Sequence, residues 1–87
     1  MKHVIQHKGH IITVDSPLTK MTLIIDGEVQ DNYDGLLIPK ELILTGTIKY
    51  GAEKGDIVTV IIKRGLLYGT LEFNYNGIRV ETLKQYY

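Results

Sequence analysis

The chain has 87 residues, ten Lys or Arg against ten Asp or Glu, a formal charge of zero and no Cys. That length holds one domain, residues 1–87. The balance of charge excludes a chain-wide basic footprint for nucleic acid and an acidic disordered character, and the missing Cys excludes disulfides and thiolate zinc sites. A single alanine, Ala52, stands against 12 Ile, 6 Val and 8 Thr. Alanine is the best helix former and β-branched residues favour strands, so the composition predicts an all-β fold.

The first strands read Lys2 to His7 and His10 to Val14, with Lys8-Gly9 as their turn. The N-terminal stretch has no apolar run of signal-peptide length, and none of the apolar runs approaches the ~18 residues needed to span a bilayer. The expectation is a cytoplasmic chain that does not meet the membrane. Met21, Leu23 and Ile25 alternate ahead of Asp26-Gly27, a dipeptide that favours a type I′ hairpin turn. Beyond Asp34-Gly35, Pro39 is expected to interrupt Leu36-Leu37-Ile38, with room for one short helical turn between Pro39 and Leu42. Leu42, Leu44, Ile48 and Tyr50 then alternate with Ile43, Thr45, Thr47 and Lys49, and Gly46 inside that strand signals a bend or bulge.

The last third predicts a three-stranded meander from about Ile57 to Leu83. With Arg64-Gly65 as a two-residue turn, Ile62 faces Leu67, Val60 faces Gly69 and Val58 faces Leu71. With Asn76-Gly77 as the next, Tyr75 faces Ile78, Phe73 faces Val80 and Leu71 faces Thr82. Both registers place apolar residues on one side of the sheet, because strand side chains alternate. Turn signals spaced mostly 8 to 12 residues apart complete the expectation. It is a small single-domain antiparallel β-sandwich or barrel of about seven or eight short strands joined by Gly, Asn and Asp turns.

Few constellations carry chemistry. Gln30-Asp31-Asn32-Tyr33-Asp34-Gly35, with Glu41 behind it, matches part of a calcium-loop spacing. Its flanks read as strands and its first ligand position is Gln30, so it is read as an ordinary turn. His7 and His10 oppose each other across the first turn and are read as a solvated tip that loosens below about pH 6, when both rings charge. Glu72 is expected opposite Glu81, with Arg79 as the diagonal cation. Ser16 lacks an elbow motif, and Gly51 to Asp56 lacks the Gly-Lys-Ser/Thr ending of a phosphate loop. No catalytic set, metal site or cofactor is expected, and the chain is not read as an enzyme.

The informative anomaly lies on the face turned away from the core. By the register above, Ile57, Ile61, Leu66 and Tyr68 cluster there, with Ile61 opposite Tyr68. Antiparallel sheets usually show water a polar face, so an apolar cluster rimmed by Thr59, Lys63 and Glu72 has the make-up of an interface. The expected function is a non-catalytic module that presents this face to a protein partner or to a second copy of itself. The competing intramolecular explanation is that another strand or the Tyr86-Tyr87 tail covers the cluster. The alternative function is a small β-barrel binding single-stranded nucleic acid through the C-terminal half. There Tyr50, Tyr68, Tyr75, Tyr86 and Tyr87 are interleaved with Lys and Arg.

Overall fold

The computed structural model describes residues 2–16, 20–35 and 40–86. These residues form two antiparallel sheets, each a meander in chain order. The first contains β1 (Lys2–His7), β2 (His10–Asp15), β3 (Lys20–Ile25) and β4 (Glu28–Asp34), and the second β5 (Glu41–Thr47), β6 (Ile57–Arg64), β7 (Tyr68–Tyr75) and β8 (Ile78–Tyr86). No helix occurs among the described residues, and Glu41 and Leu42 already belong to β5, so the expected helical turn does not reach them. Leu36 to Pro39 lie outside the described residues.

Three hairpins close as their dipeptides require. Lys8-Gly9, Asp26-Gly27 and Asn76-Gly77 all carry positive φ at both positions, 51° then 80–82°. This backbone matches the twist of the flanking strands. The fourth hairpin does not close at Arg64-Gly65. Arg64 pairs with Gly69, and Val58, Val60 and Ile62 lie opposite Tyr75, Phe73 and Leu71. The tight-turn register would have left Phe73 and Tyr75 beyond the end of β6. The observed one sets both aromatics against valines, fully buried for Phe73 and nearly so for Tyr75. Leu67, expected in the core, is instead exposed on the resulting loop. The slip is four residues, an even number, so every strand residue keeps its face.

A bulge changes the next register. Asn74 pairs with Arg79 but Phe73 with Glu81, so Val80 is the extra residue on β8. Glu72 therefore meets Thr82 rather than Glu81, and the expected carboxylate pair does not form. Arg79 reaches Glu72 at 3.6 Å, as its diagonal position suggested.

The core lies between the sheets. Ile12, Val14, Leu23 and Ile25 from the first meet Leu44, Ile48, Val60, Leu71 and Phe73 from the second. Side chains, not ladder bonds, stitch the edges: Asp31 of β4 accepts the Thr45 amide of β5 at 3.0 Å, and the His3 ring of β1 meets Gln85 of β8 at 3.0 Å. Gly46 is not a bulge, since the β5–β6 register runs through it unbroken. It is a point of close approach between the sheets, where a Cβ would stand 2.7 Å from Gln30 Cβ and 2.9 Å from Ile25 Cδ1.

Candidate functional site

The meanders bring the Lys8-Gly9, Asp26-Gly27 and Asn76-Gly77 turns to one end of the molecule and the β6–β7 loop to the other, along a long axis of 40 Å. Each end has its own chemistry.

At the loop end, Gly65 to Leu67 leave the ladder and the Gly65 amide donates to the Tyr68 carbonyl at 2.9 Å. That carbonyl lies only 2.6 Å from where a Gly65 Cβ would be, so this corner has no space for a side chain. The tight corner throws the next two side chains outward. Leu66 is 95% exposed and Leu67 74% exposed. Both line a groove of about 410 Å3 with Lys63, Arg64, Tyr68 and Thr70. Tyr68 stands opposite Tyr86 on β8, their rings 5.6 Å apart, and Lys84 Nζ lies 5.1 Å from the Tyr68 ring centre. Among the described residues, no carboxylate lines this groove.

The zero net charge conceals a division along the long axis. Lys2, Lys20, Lys40, Lys63, Arg64 and Lys84 occupy the strand ends on the loop side, against Asp15, Asp34 and Glu41. The remaining seven carboxylates, against four cations, lie in the middle and at the turn end. The field at the groove is therefore positive although the molecule is neutral.

The four residues expected to form one cluster are divided between two places. Ile61 lies opposite Glu72 on one side and Ile43 on the other, not opposite Tyr68. Tyr68 is four residues further along β7, or roughly 13 Å at the rise of an extended strand. Ile57, at the start of β6, pairs with Thr47 and is about half exposed. Leu66 and Tyr68 come together at the groove, while Ile57 and Ile61 share the outer face of the sheet with Ile43. Tyr86 partly covers Tyr68, and Tyr87 lies outside the described residues. Sequence reasoning missed Leu67, having given it to the core, but did name the Tyr86-Tyr87 tail as a cover for the cluster, and Tyr86 meets Tyr68 as that explanation expected.

The turn end holds a polar cluster that no spacing in the chain announces. His10 is buried, not solvated. Its Nδ1 lies 2.6 Å from Asp26 Oδ2 and its Nε2 2.8 Å from Glu53 Oε1. His7 does oppose it in register, but turns its ring to Tyr75 at 4.7 Å. Hydrogen bonds to Asp26 and then to Glu53 raise the His10 pKa against the opposing effect of burial. For Asp26, burial pulls upward, but the bonds from His10 and the Ile11 amide outweigh it and hold the carboxyl below its ordinary value. The expected loosening below pH 6 is thus reversed in sign for His10, whose charged form is the one its surroundings satisfy. Nearby, the Tyr75 hydroxyl donates to Asp56 at 2.7 Å, and burial followed by that bond pushes the Tyr75 pKa up to about 12. Tyr50 donates to Glu28, which Lys49 also approaches at 3.6 Å.

Two other proposed constellations dissolve into structure. The calcium-like stretch from Gln30 to Asp34, expected to be an ordinary turn, is instead part of strand β4. A bulge leaves Gln30 as the extra residue opposite β3, extended backbone beyond it sends alternate side chains to opposite faces, and Asp31 spends one oxygen on the Thr45 amide and the other on the Asn32 amide. Among the described residues no group of three His, Cys, Asp or Glu is disposed to hold a metal ion. Of the tyrosines proposed as a stacking platform, Tyr75 is buried and Tyr50 is bonded to Glu28, so among the described residues Tyr68 and Tyr86 alone share a surface. Among the described residues no helix is long and apolar enough to cross a membrane. Comparison with family models, curated proteins and solved structures gives no match to this chain.

Proposed function

We propose that the protein is a non-catalytic interaction module whose contact surface is the groove at the β6–β7 loop. Its partner is a polypeptide segment that carries carboxylates around an apolar side chain. The observation that carries this reading is the pair Leu66 and Leu67, consecutive and 95% and 74% exposed, beside the Tyr68–Tyr86 pair. Single exposed leucines are ordinary, but contiguous apolar surface rimmed by polar groups marks interaction sites. Tyrosines are enriched at such sites because they cover area at little entropic cost. Lys63 and Lys84 flank the apolar centre, and among the described residues no carboxylate lines the groove, so the complementary partner is acidic at its rim. At the other end, both nitrogens of His10 already face carboxylates, which leaves neither placed to take a proton from a substrate.

The test is a selection from a displayed random dodecapeptide library, with the whole chain as bait and Leu66→Asp as counter-bait. Leu66 is almost entirely in solvent, so the substitution should leave stability within about 0.5 kcal/mol. The expected result is enrichment of peptides with Leu or Phe flanked by Asp and Glu. Their titration should shift the amides of residues 63–70, and Leu66→Asp should lose them. No enrichment over the counter-bait, or shifts confined to the turn end, would overturn the proposal. A two-fold mass in light scattering that Leu66→Asp abolishes would replace the partner with a second copy. Binding of an oligo-dT strand that falls steeply with salt would replace it with nucleic acid.

A further inference from the structure

We propose that His10, clasped between Asp26 and Glu53, is a proton-operated latch: the charged ring docks the β5–β6 loop onto the first sheet, and the neutral ring releases it. The argument begins with the ring. A neutral imidazole carries one N–H, so one of its nitrogens must present a lone pair. Here both nitrogens face carboxylate oxygens, at 2.6 and 2.8 Å. Only the imidazolium donates to both. In either neutral tautomer one carboxylate meets a lone pair at hydrogen-bond distance, which is repulsive.

The two carboxylates differ in how firmly they are held, and this decides which contact gives way. Asp26 sits in the β3–β4 turn. Its Oδ1 accepts the Ile11 amide at 3.0 Å and its own amide donates to the Ile11 carbonyl at 2.9 Å. That carboxylate cannot retreat without opening the β2–β3 edge. Glu53 sits in a loop that closes on itself. Ile48 and Asp56 bond at 2.8 Å, Gly55 to Ile48 at 2.9 Å and Asp56 to Glu53 at 2.9 Å, all through main-chain groups. Gly51 lies against the His10 ring, where a Cβ would stand 3.9 Å from Cε1. The neutral ring therefore keeps its proton toward Asp26, and Glu53 is the group that leaves. Ile48, Tyr50 and Asp56 anchor the loop at its two ends through separate contacts, so release is confined to residues 51–55.

The charged surroundings favour the charged ring and so the closed state. His10 is faced by Asp26 from the β3–β4 turn, Glu53 and Asp56 from the β5–β6 loop, and His7 and Lys8 from β1 and its turn. Glu28, Lys49, Tyr50 and Tyr75 complete the cluster. The raised His10 stabilises the docked loop below its unfolded pKa of about 6.5 and loses that contribution as pH rises through the folded value. The lowered Asp26 contributes above its unfolded pKa of about 3.9 and loses that contribution as pH falls through the folded value. The latch is thus closed while the ring is charged and opens as pH rises through the imidazole transition, whereas the Asp26 transition acts on the β2–β3 edge and not on the loop.

The experiment is an NMR titration of the whole chain from pH 4.5 to 9.5, following the three imidazoles and the amides of residues 48–56. The expected result is a His10 midpoint above 6.5, with the amides of Gly51 to Gly55 moving at that same midpoint and losing protection there several-fold beyond the rise that base-catalysed exchange alone gives. His7→Gln separates the neighbouring ring and should leave this midpoint in place. Glu53→Gln should lower the His10 midpoint and uncouple the loop amides from it, while the rest of the spectrum stays that of the folded chain. A His10 midpoint at or below 6.5, or loop amides indifferent to it, would overturn the latch. If Glu53→Gln unfolds the protein, Glu53→Asp, one methylene short, serves the same purpose.

Discussion

Replacing Gly46 by Ala tests how the two sheets meet. Gly46 is buried in β5, and its φ is one any residue adopts, so Ala carries no backbone strain there. An added Cβ would stand 2.7 Å from Gln30 Cβ and 2.9 Å from Ile25 Cδ1. The isoleucine tip can rotate away, but Gln30 Cβ is fixed to the β4 backbone. Restoring ordinary contact requires β4 and β5 to part by about half an ångström or more. Overpacking of this kind costs about 1–3 kcal/mol. Against it stands the smaller entropy of an unfolded chain with Ala in place of Gly, worth about 0.4–1 kcal/mol. The net expectation is a loss of about 0.5–2.5 kcal/mol, or a Tm lower by about 4–8 °C for each kcal/mol in a domain of this size. Urea denaturation measures it directly: the midpoint should fall with an unchanged slope, since the same surface is exposed on unfolding. Adding Ile25→Val should recover only part of the loss, because Gln30 Cβ remains. A Gly46→Ala protein as stable as the parent, or more so, would show that the seam has slack and that the close approach of β4 and β5 is not what excludes a side chain.

Phe73→Ala removes a fully buried ring from the centre of the core and should cost about 3–5 kcal/mol, read from the same urea curves. Tyr75→Phe deletes the hydroxyl that donates to Asp56 and should cost about 1.5–3 kcal/mol for a bond to a charged acceptor. In the parent, the Tyr75 pKa of about 12 means that this residue's contribution to stability is intact below pH 10 and declines from there through pH 12. Absorbance at 295 nm should show one tyrosine ionising late, and Tyr75→Phe should remove that late step. Calcium at millimolar concentration should leave the Tm unchanged, because the Asp31 carboxylate is engaged by the Thr45 and Asn32 amides and β4 cannot converge its side chains. A rise of several degrees in a melting scan would contradict that placement.

Several features were legible in the residues alone because they are local. Asp26-Gly27 and Asn76-Gly77 select their turn through φ, which depends on the two residues themselves. Which side of β6 and β7 enters the core follows from alternation, and that survived even where the register was wrong. Ile62 was expected opposite Leu67 and lies opposite Leu71, yet a four-residue slip cannot change a face. The exposed apolar residues beyond the core were also visible as an excess, since Ile57, Leu66 and Tyr68 had no polar alternation to explain them.

Other features rest on contacts between distant parts of the chain. The β6–β7 register was decided by volume: setting Phe73 and Tyr75 against Val60 and Val58 fills the space between the sheets, and that space exists only once both sheets are present. The same choice converted Leu67 from core to surface and moved the candidate site from the middle of the hairpin to its tip. The bulge at Val80 decided whether two glutamates would oppose each other. His10 acquired its partners across 16 and 43 residues, so its charge state could not be read from its neighbours. A period-two strand determines its own faces, whereas register, charge division and the surroundings of a buried histidine depend on how two sheets close on one another. The 26 β-branched residues determined that there would be sheets with more than one apolar side; packing decided which of those sides remained for a partner.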